Sequence, residues 1–341
     1  MEQITFRDFA EQGDKIQAIQ RQITENQFTH AVMISGEPGT GKKTLASVIA
    51  KAILCSSGKE RPCNECENCR LFDSGEHPDM ILIQKGNPLA AETRKGRSSI
   101  PVSDIREMIR ICSQYAYKSV NRVIIIQDAE NLTVQAQNCL LKIMEDPPLH
   151  TYFIMTTSKP SDVLITIRSR CRPIKLSPWD SGYIIQVLLQ SGVSSEKARI
   201  IAASSSGSIG RALQMASDET YWEIRKDIIS VFFLTSQRSD ILRISTAWKD
   251  RKEDAESLFD ILENAVHHLL VHRLDPGFPL PPDEYSADWV RFSEEADMER
   301  FVFLLDQISE AKKQCSFNVN FQALFEQLHL IFIGEREKWA K

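Results

Sequence analysis

Short, nearly continuous apolar runs alternate with amphipathic stretches through the first half of the chain. The run His30-Ala31-Val32-Met33-Ile34-Ser35 ends at Gly36, and similar runs recur at Met80–Ile83, Arg122–Ile126 and Tyr152–Thr156. Such runs suit strands buried on both faces of a parallel sheet. Between them, Phe6–Glu25, Thr44–Leu54, Val102–Tyr115 and Thr133–Met144 are predicted to be helical; in Thr44–Leu54 the apolar residues Leu45, Val48, Ile49, Ala52 and Ile53 recur at helical spacing. Strands alternating with helices predict an α/β fold with a parallel sheet covered on both faces. Asn87–Ser99 carries Pro, Gly and Arg without periodicity and reads as a loop.

The pattern changes after Ser177-Pro178-Trp179. Helical periodicity dominates over Tyr183–Leu189, Ser195–Ala203, Ile209–Ala216, Trp222–Leu234, Ala255–Val271, Met298–Lys312 and Asn320–Ile333, and no further buried strand is predicted. Asp275–Pro282 is rich in proline and reads as a helix-breaking loop. The expected organisation is an α/β domain to about residue 178 followed by all-α material.

Composition narrows this picture. The 341 residues are 42% hydrophobic and 26% charged, with a formal net charge of -5, which excludes a disordered chain and a small disulfide scaffold. No apolar run approaches the roughly 18 to 20 residues of a membrane span. Met1–Asp8 lacks a basic patch leading into an apolar core, so no secretory signal is expected and a cytoplasmic, reducing setting is the default. The eight cysteines then call for metal or catalytic explanations before disulfides.

Gly36-Glu37-Pro38-Gly39-Thr40-Gly41-Lys42-Lys43-Thr44 lies between a predicted buried strand and an amphipathic helix. That is the setting of a phosphate loop: glycines let backbone N–H groups turn toward phosphate oxygens, Lys42 supplies a cation, and the helix N-terminus adds its positive end. One residue departs from the pattern. The position after the loop lysine should hold a Ser or Thr hydroxyl that ligates Mg²⁺, and Lys43 stands there instead. An ammonium has no lone pair for a metal, and Thr44 points about 100° further round the helix. A glycine-rich turn without a ligand is the alternative reading.

The carboxylate expected at the end of a second strand is also displaced. After Arg122–Ile126 the chain reads Gln127-Asp128-Ala129-Glu130, so an amide begins where an acidic pair should. Both departures affect the same ion. They predict a nucleotide site, for ATP or ADP, that keeps its architecture but has lost hydrolysis, with Mg²⁺ not expected to bind. A core strand ending in a solvated turn is the plainer reading of Gln127.

Cys55, Cys63, Cys66 and Cys69 lie close together, with Gly58 and Pro62 between them. Closely spaced cysteines in a turn can reach tetrahedral Zn²⁺ without a hydrophobic core of their own, and four protein ligands leave no open position for chemistry. A structural zinc is therefore predicted. Cys112, Cys139, Cys171 and Cys315 are scattered and read as packed side chains.

A phosphate loop followed, at the end of its own helix, by a four-cysteine module resembles the bacterial clamp-loader AAA+ subunits of DNA polymerase III. Further matches are His77-Pro78-Asp79, Val102-Ser103-Asp104-Ile105-Arg106, and the segment Ala136–Pro148 with its acidic pair and two prolines. Thr156-Thr157-Ser158 is similar to the sensor 1 turn, Ser169-Arg170-Cys171 to the family's Ser-Arg-Cys motif, and Gly207–Leu213 to its lid. The resemblance is dense from about residue 28 to 178, thins to the lid motif, and beyond about 216 rests mainly on helical character.

The resemblance implies an AAA+ domain over 1–178 with a zinc module at about 55–75, a helical lid over 179–216 and an all-α collar domain over 217–341 that assembles the ring. Within the family, gamma and tau hydrolyse ATP, whereas delta prime has a degraded site. Lys43, Gln127 and Gly210, which stands where the hydrolysing subunits carry the sensor 2 arginine with Arg211 displaced by one, point to the delta prime type. The implied nucleotide-binding positions are Gly36, Gly39, Thr40, Gly41, Lys42, Lys43, Thr44, Asp128, Thr157 and Arg211.

Arg170 would act in trans as an arginine finger on a neighbouring subunit's ATP. The competing reading is that Arg168, Arg170 and Arg172 alternate on one solvated strand face. The implied partners are gamma/tau and delta, the sliding clamp through the assembly, and primer-template DNA as part of the ring, in a cytoplasmic, nucleoid-associated replisome. Two other functions stay open on sequence: an active ATPase of the gamma/tau type, and a P-loop kinase for a small metabolite. The acidic balance argues against strong DNA binding by the isolated chain, since counterion release needs clustered Lys and Arg.

Overall fold

A computed structural model of the chain describes residues 4–339 except 59, 92–95, 115, 236, 250, 252–253, 278–279, 281–284 and 317–318. Parts of the two expected loops (92–95, 278–279 and 281–282) and Tyr115, the last residue of an expected helix, lie outside the described residues. The chain divides into two compact units, Met1–Trp179 with Ser208–Gly210, and Asp180–Gly207 with Arg211–Lys341.

The first unit is built on a five-stranded parallel sheet. Its strands are β1 (Ala31–Ser35), β2 (Met80–Ile83), β3 (Arg122–Ile126), β4 (Thr151–Thr157) and β5 (Arg172–Lys175), in the spatial order β2-β3-β4-β1-β5. Its helices are α1 (Asp14–Thr24), α2 (Lys42–Leu54), α3 (Glu67–Asp73), α4 (Val102–Cys112), α5 (Val134–Glu145) and the single turn α6 (Ile165–Arg168). β1 lies in register between β4, with Ile34 beside Thr156, and β5, with Ile34 beside Ile174.

Side-chain alternation divides the apolar strand residues between two faces. Ala31, Met33, Ile81, Ile83, Ile124, Ile126, Phe153 and Met155 share one core with Ile105 and Met108 of α4 and with Ala136, Leu140 and Met144 of α5. The intervening Val32, Ile34, Val123, Ile125 and Ile154 are also buried, and α2 packs on β3 and β4. Continuous apolar runs are what burial on both faces requires, so four strands could be read directly.

β5 is the strand that pattern reading misses. Arg-Pro-Ile-Lys carries one aliphatic residue, and Pro173 cannot donate to a ladder. The segment is tolerated because β5 is an edge strand paired only to β1. It also removes the reading of Arg168, Arg170 and Arg172 as one strand face: Arg168 ends α6, Arg170 lies in the following turn, and only Arg172 belongs to a strand.

The second unit is helical, with no strand among its described residues. It contains α7 (Ser181–Gln190), α8 (Ser195–Ser204), α9 (Ile209–Ser217, whose first two residues group with the first unit), α10 (Glu219–Ile229), α11 (Ile241–Trp248), α12 (Ala255–Leu274), α13 (Ser286–Glu295), α14 (Met298–Ser316) and α15 (Phe321–Trp339). A π-helical turn, Ser230–Leu234, continues α10 and inserts Phe232 and Phe233 into an aromatic core with Trp289, Phe292, Phe325 and Phe332. Among the described residues, no helix is long and apolar enough to cross a membrane.

Candidate functional site

The loop between β1 and α2 emerges at the carboxyl end of a central strand, the edge at which parallel sheets bind ligands. Gly41 forms the N-cap of α2 at φ 90°, a left-handed conformation that costs a glycine little. The carbonyl of Thr40 accepts the indole N–H of Trp179 at 3.0 Å, and the Thr40 hydroxyl donates to the Glu37 carbonyl at 2.8 Å. The ring of Phe9 packs on Trp179 at 5.8 Å, so the loop is braced from both ends of the first unit's sequence.

Lys42 is buried and donates to the carbonyls of Gly36 at 2.9 Å and Glu37 at 2.7 Å. Burial draws its ammonium below the usual lysine range, opposed by the fields of Asp128, Glu130 and Glu37 and assisted by that of Lys43. Lys43, in the metal-ligand position, forms an ion pair with Asp128 at 2.6 Å. Asp128 has φ 53° and its N–H donates to the Thr156 hydroxyl at 3.0 Å, so the end of β4 positions the turn after β3. Glu130 accepts the N–H of Ser158 at 3.0 Å. Thr157 is fully buried and its hydroxyl accepts the Lys159 N–H at 3.1 Å.

Two residues at the start of α9 behave differently. The N–H of Gly210 donates to the carbonyl of Gly39 at 2.9 Å, bringing it onto the phosphate loop within the first unit. Arg211 belongs to the second unit, where its guanidinium pairs with Asp260 of α12 at 2.5 Å. That carboxylate belongs to the same unit as Arg211.

The four-cysteine group lies beyond the carboxyl end of α2. The sulfurs of Cys55, Cys63, Cys66 and Cys69 all lie within 4.8 Å of one another, with Cys55 3.5 Å from Cys63 and 3.9 Å from Cys66, and Cys63 4.0 Å from Cys69. These separations bracket the ~3.8 Å edge of a tetrahedron built on Zn–S bonds of about 2.3 Å, and are far longer than a disulfide. Backbone N–H groups of Ser57 and Cys63 donate to Cys55, that of Cys66 to Cys63, and that of Cys69 to Cys66, each at 3.4 Å.

Such donors favour thiolates. Burial opposes ionisation of Cys66, but hydrogen bonds from Ser56 and the Cys69 N–H outweigh it and hold the thiol at about 6. Burial pushes the Cys55 and Cys69 thiols upward. The donor set fits a soft tetrahedral metal.

A family model described as DNA polymerase III, delta subunit, matches residues 11–180. The DNA polymerase III subunit delta' of Haemophilus influenzae is 31% identical over 71% of this chain and 72% of its own length. That of Bacillus subtilis is 27% identical over 91% of this chain and 92% of its own. This chain belongs to the DNA polymerase III delta' family. The Bacillus subtilis subunit tau is 27% identical over 98% of this chain and 58% of its own length, so the chain also carries the wider clamp-loader relationship.

In this delta' family member, Arg170 sits in the turn between α6 and β5, with about a third of its side chain exposed. Its guanidinium donates to the Thr166 carbonyl at 2.8 Å and pairs with Glu145, at the end of α5, at 2.5 Å. The His77-Pro78-Asp79 match was legible in the sequence, but its use was not. Asp79 is fully buried and accepts the N–H groups of Tyr117, Lys118 and Ser119 at 2.6, 2.7 and 2.7 Å, fixing the loop before β3. Lys118 of that loop bonds Glu67 on α3, tying it to the cysteine module. The signal for Asp79 was a lone carboxylate directly before an apolar strand, which has a structural use only when a loop folds over it. Trp179 stood out only as a boundary residue, although its indole holds Thr40.

Proposed function

We propose that the chain is the delta' subunit of a bacterial clamp loader, a member of the ring that places the sliding clamp on primed DNA, and that it does not hydrolyse ATP itself. The observation that carries this reading is the pairing of Lys43 with Asp128 across the phosphate loop. A hydrolysing site needs a hydroxyl and a carboxylate around Mg²⁺. Here the hydroxyl position is an ammonium, the strand-end carboxylate position is Gln127, and the next carboxylate is already engaged. The residues present do not fit a magnesium ion.

Arg170 is the contribution such a subunit would make to a neighbour's chemistry. Its long side chain is held by surface contacts to Glu145 and Thr166, which a carboxylate or phosphate of another chain can exchange for its own. In that role it stabilises charge developing on a transferred phosphoryl group. Residues 217–341 supply the collar contact with gamma/tau and delta, and Cys55, Cys63, Cys66 and Cys69 hold a structural Zn²⁺ when it is bound. With a net charge of -5, contact with DNA is made as part of the ring in the cytoplasmic replisome rather than by this chain alone.

The test is reconstitution. The chain is mixed with gamma/tau and delta subunits, and assembly and DNA-stimulated ATPase are measured with and without it. Assembly with increased turnover, and no turnover by the chain alone, is expected. Magnesium-dependent turnover by the isolated chain, lost on Lys42→Ala, would instead assign it to the hydrolysing gamma/tau type.

A further inference from the structure

Parallel-sheet phosphate loops generally work with a divalent cation seated between the residue after the loop lysine and a carboxylate at the end of another strand. In this chain a side chain's own charge links those two places. Lys43 is the second residue of α2, and its ammonium reaches Asp128 beyond the end of β3. The carboxylate side chain is 29% exposed and the lysine 53%, so the pair spans the rim of the site rather than its floor.

We propose that the Lys43 ammonium is a tethered replacement for the divalent cation: it gives Asp128 the positive partner a metal would supply and excludes the metal from that position. The proposal rests on the reading of 36–44 as a phosphate loop that does not hydrolyse. An ammonium offers three donors and no lone pair, so it can bind a carboxylate or a phosphate oxygen but cannot share a coordination shell with Mg²⁺. The adjacent Lys42 ammonium makes a further positive ion there less favourable still. Gln127 follows from the same arrangement. With a single positive charge in place of two, one carboxylate suffices, and a second at 127 would be left uncompensated. Lys43 replaces none of the loop glycines Gly36, Gly39 and Gly41, so on this proposal phosphate binding proceeds without a divalent cation.

The experiment uses the full-length, zinc-loaded chain with ADP and Mn²⁺ as a paramagnetic probe of the cation position, read by electron paramagnetic resonance. Wild type, Gln127→Asp, Lys43→Thr and the double variant are compared. Wild type and Gln127→Asp are expected to hold no Mn²⁺ with the nucleotide, because the ammonium is still present. The double variant is expected to bind Mn²⁺ with ADP at least about tenfold more tightly than either. Mn²⁺ bound by wild type, or bound by Gln127→Asp as tightly as by the double variant, overturns the proposal, since the ammonium would then exclude nothing. A double variant no better than wild type overturns it too, since no cation position would lie there.

Lys43 lies on the surface, and retention of zinc and an unchanged melting temperature verify that each variant is folded. Ring assembly measured on the same preparations separates the two ideas. Failure of wild type to assemble overturns the clamp-loader function and leaves the Mn²⁺ comparison intact.

Discussion

The N–H of Gly210 donates to the carbonyl of Gly39 at 2.9 Å, so the start of α9 closes directly on the phosphate loop. A Cβ at position 210 would stand 3.1 Å from the Gly39 Cα and 3.3 Å from its carbonyl oxygen. Both are backbone atoms and cannot swing aside.

Gly210→Ala should therefore force the loop or α9 to shift. The expected cost is about 1 to 2 kcal/mol, measured by denaturant unfolding. Gly192→Ala, at φ 84° with open space around it, separates the two causes of a glycine requirement: its cost comes from backbone conformation and leaves loop contacts alone. Equal stability of Gly210→Ala and wild type would show that the contact is loose.

Arg170→Ala should leave folding nearly unchanged, because an exposed pair with Glu145 is worth at most about 1 kcal/mol. The proposed trans role of Arg170 predicts that hydrolysis at the neighbouring ATP site of the reconstituted ring slows by about three orders of magnitude, visible in single-turnover hydrolysis. Glu145→Gln removes the resting partner while keeping the guanidinium and should retain turnover. Normal ring hydrolysis by Arg170→Ala would remove the trans role.

The cysteine group should take up one zinc ion per chain, measured by metal analysis and by release on mercurial titration. Cys66→Ser removes the thiol that hydrogen bonds hold at about 6 and should both lose zinc and destabilise the first unit. Chelation of wild type should lower its melting temperature in the same way. A chain equally stable with and without metal would assign the sulfurs to packing.

His329 lies in α15 among Phe232 and Phe325, and burial, helped by the charge of Arg336, pushes its imidazole down to about 4 from 6.5. The folded state therefore holds it neutral while the unfolded chain takes up a proton as pH falls below about 6.5. Its contribution is intact above that value and is lost as pH falls from about 6.5 toward 4, with a slope of up to about 1.4 kcal/mol per pH unit. His329→Phe should flatten the pH dependence of stability in this window, measured by unfolding at several pH values. Parallel curves for the two proteins would show that the imidazole ionises freely in the fold.

Several elements that pattern reading missed share a physical cause. β5 has one aliphatic residue and is held as an edge strand by β1. α3 is dominated by cysteine-module residues, with Cys66 as its N-cap accepting the N–H of Cys69, so its start is set by the module rather than by an apolar face. α13 buries only Trp289, Phe292 and Ser293, too few positions to show a helical period, and its aromatic rings pack on Phe233. For β5 and α13, the partner that makes the element stable lies elsewhere in the chain.

The alternation of strands and helices, the phosphate loop, the four-cysteine spacing and the change to helices near residue 178 were all legible in the order of residues, because each is written in close neighbours along the chain. The proposal that Lys43 and Gln127 do not suit a magnesium ion also rests on side-chain chemistry alone. The meetings of Lys43 with Asp128, Arg211 with Asp260 and Gly210 with Gly39 emerged only in the folded chain. Charges and amides choose partners by distance, and distances between remote segments are set when β3 packs beside β4 and the helices close over them.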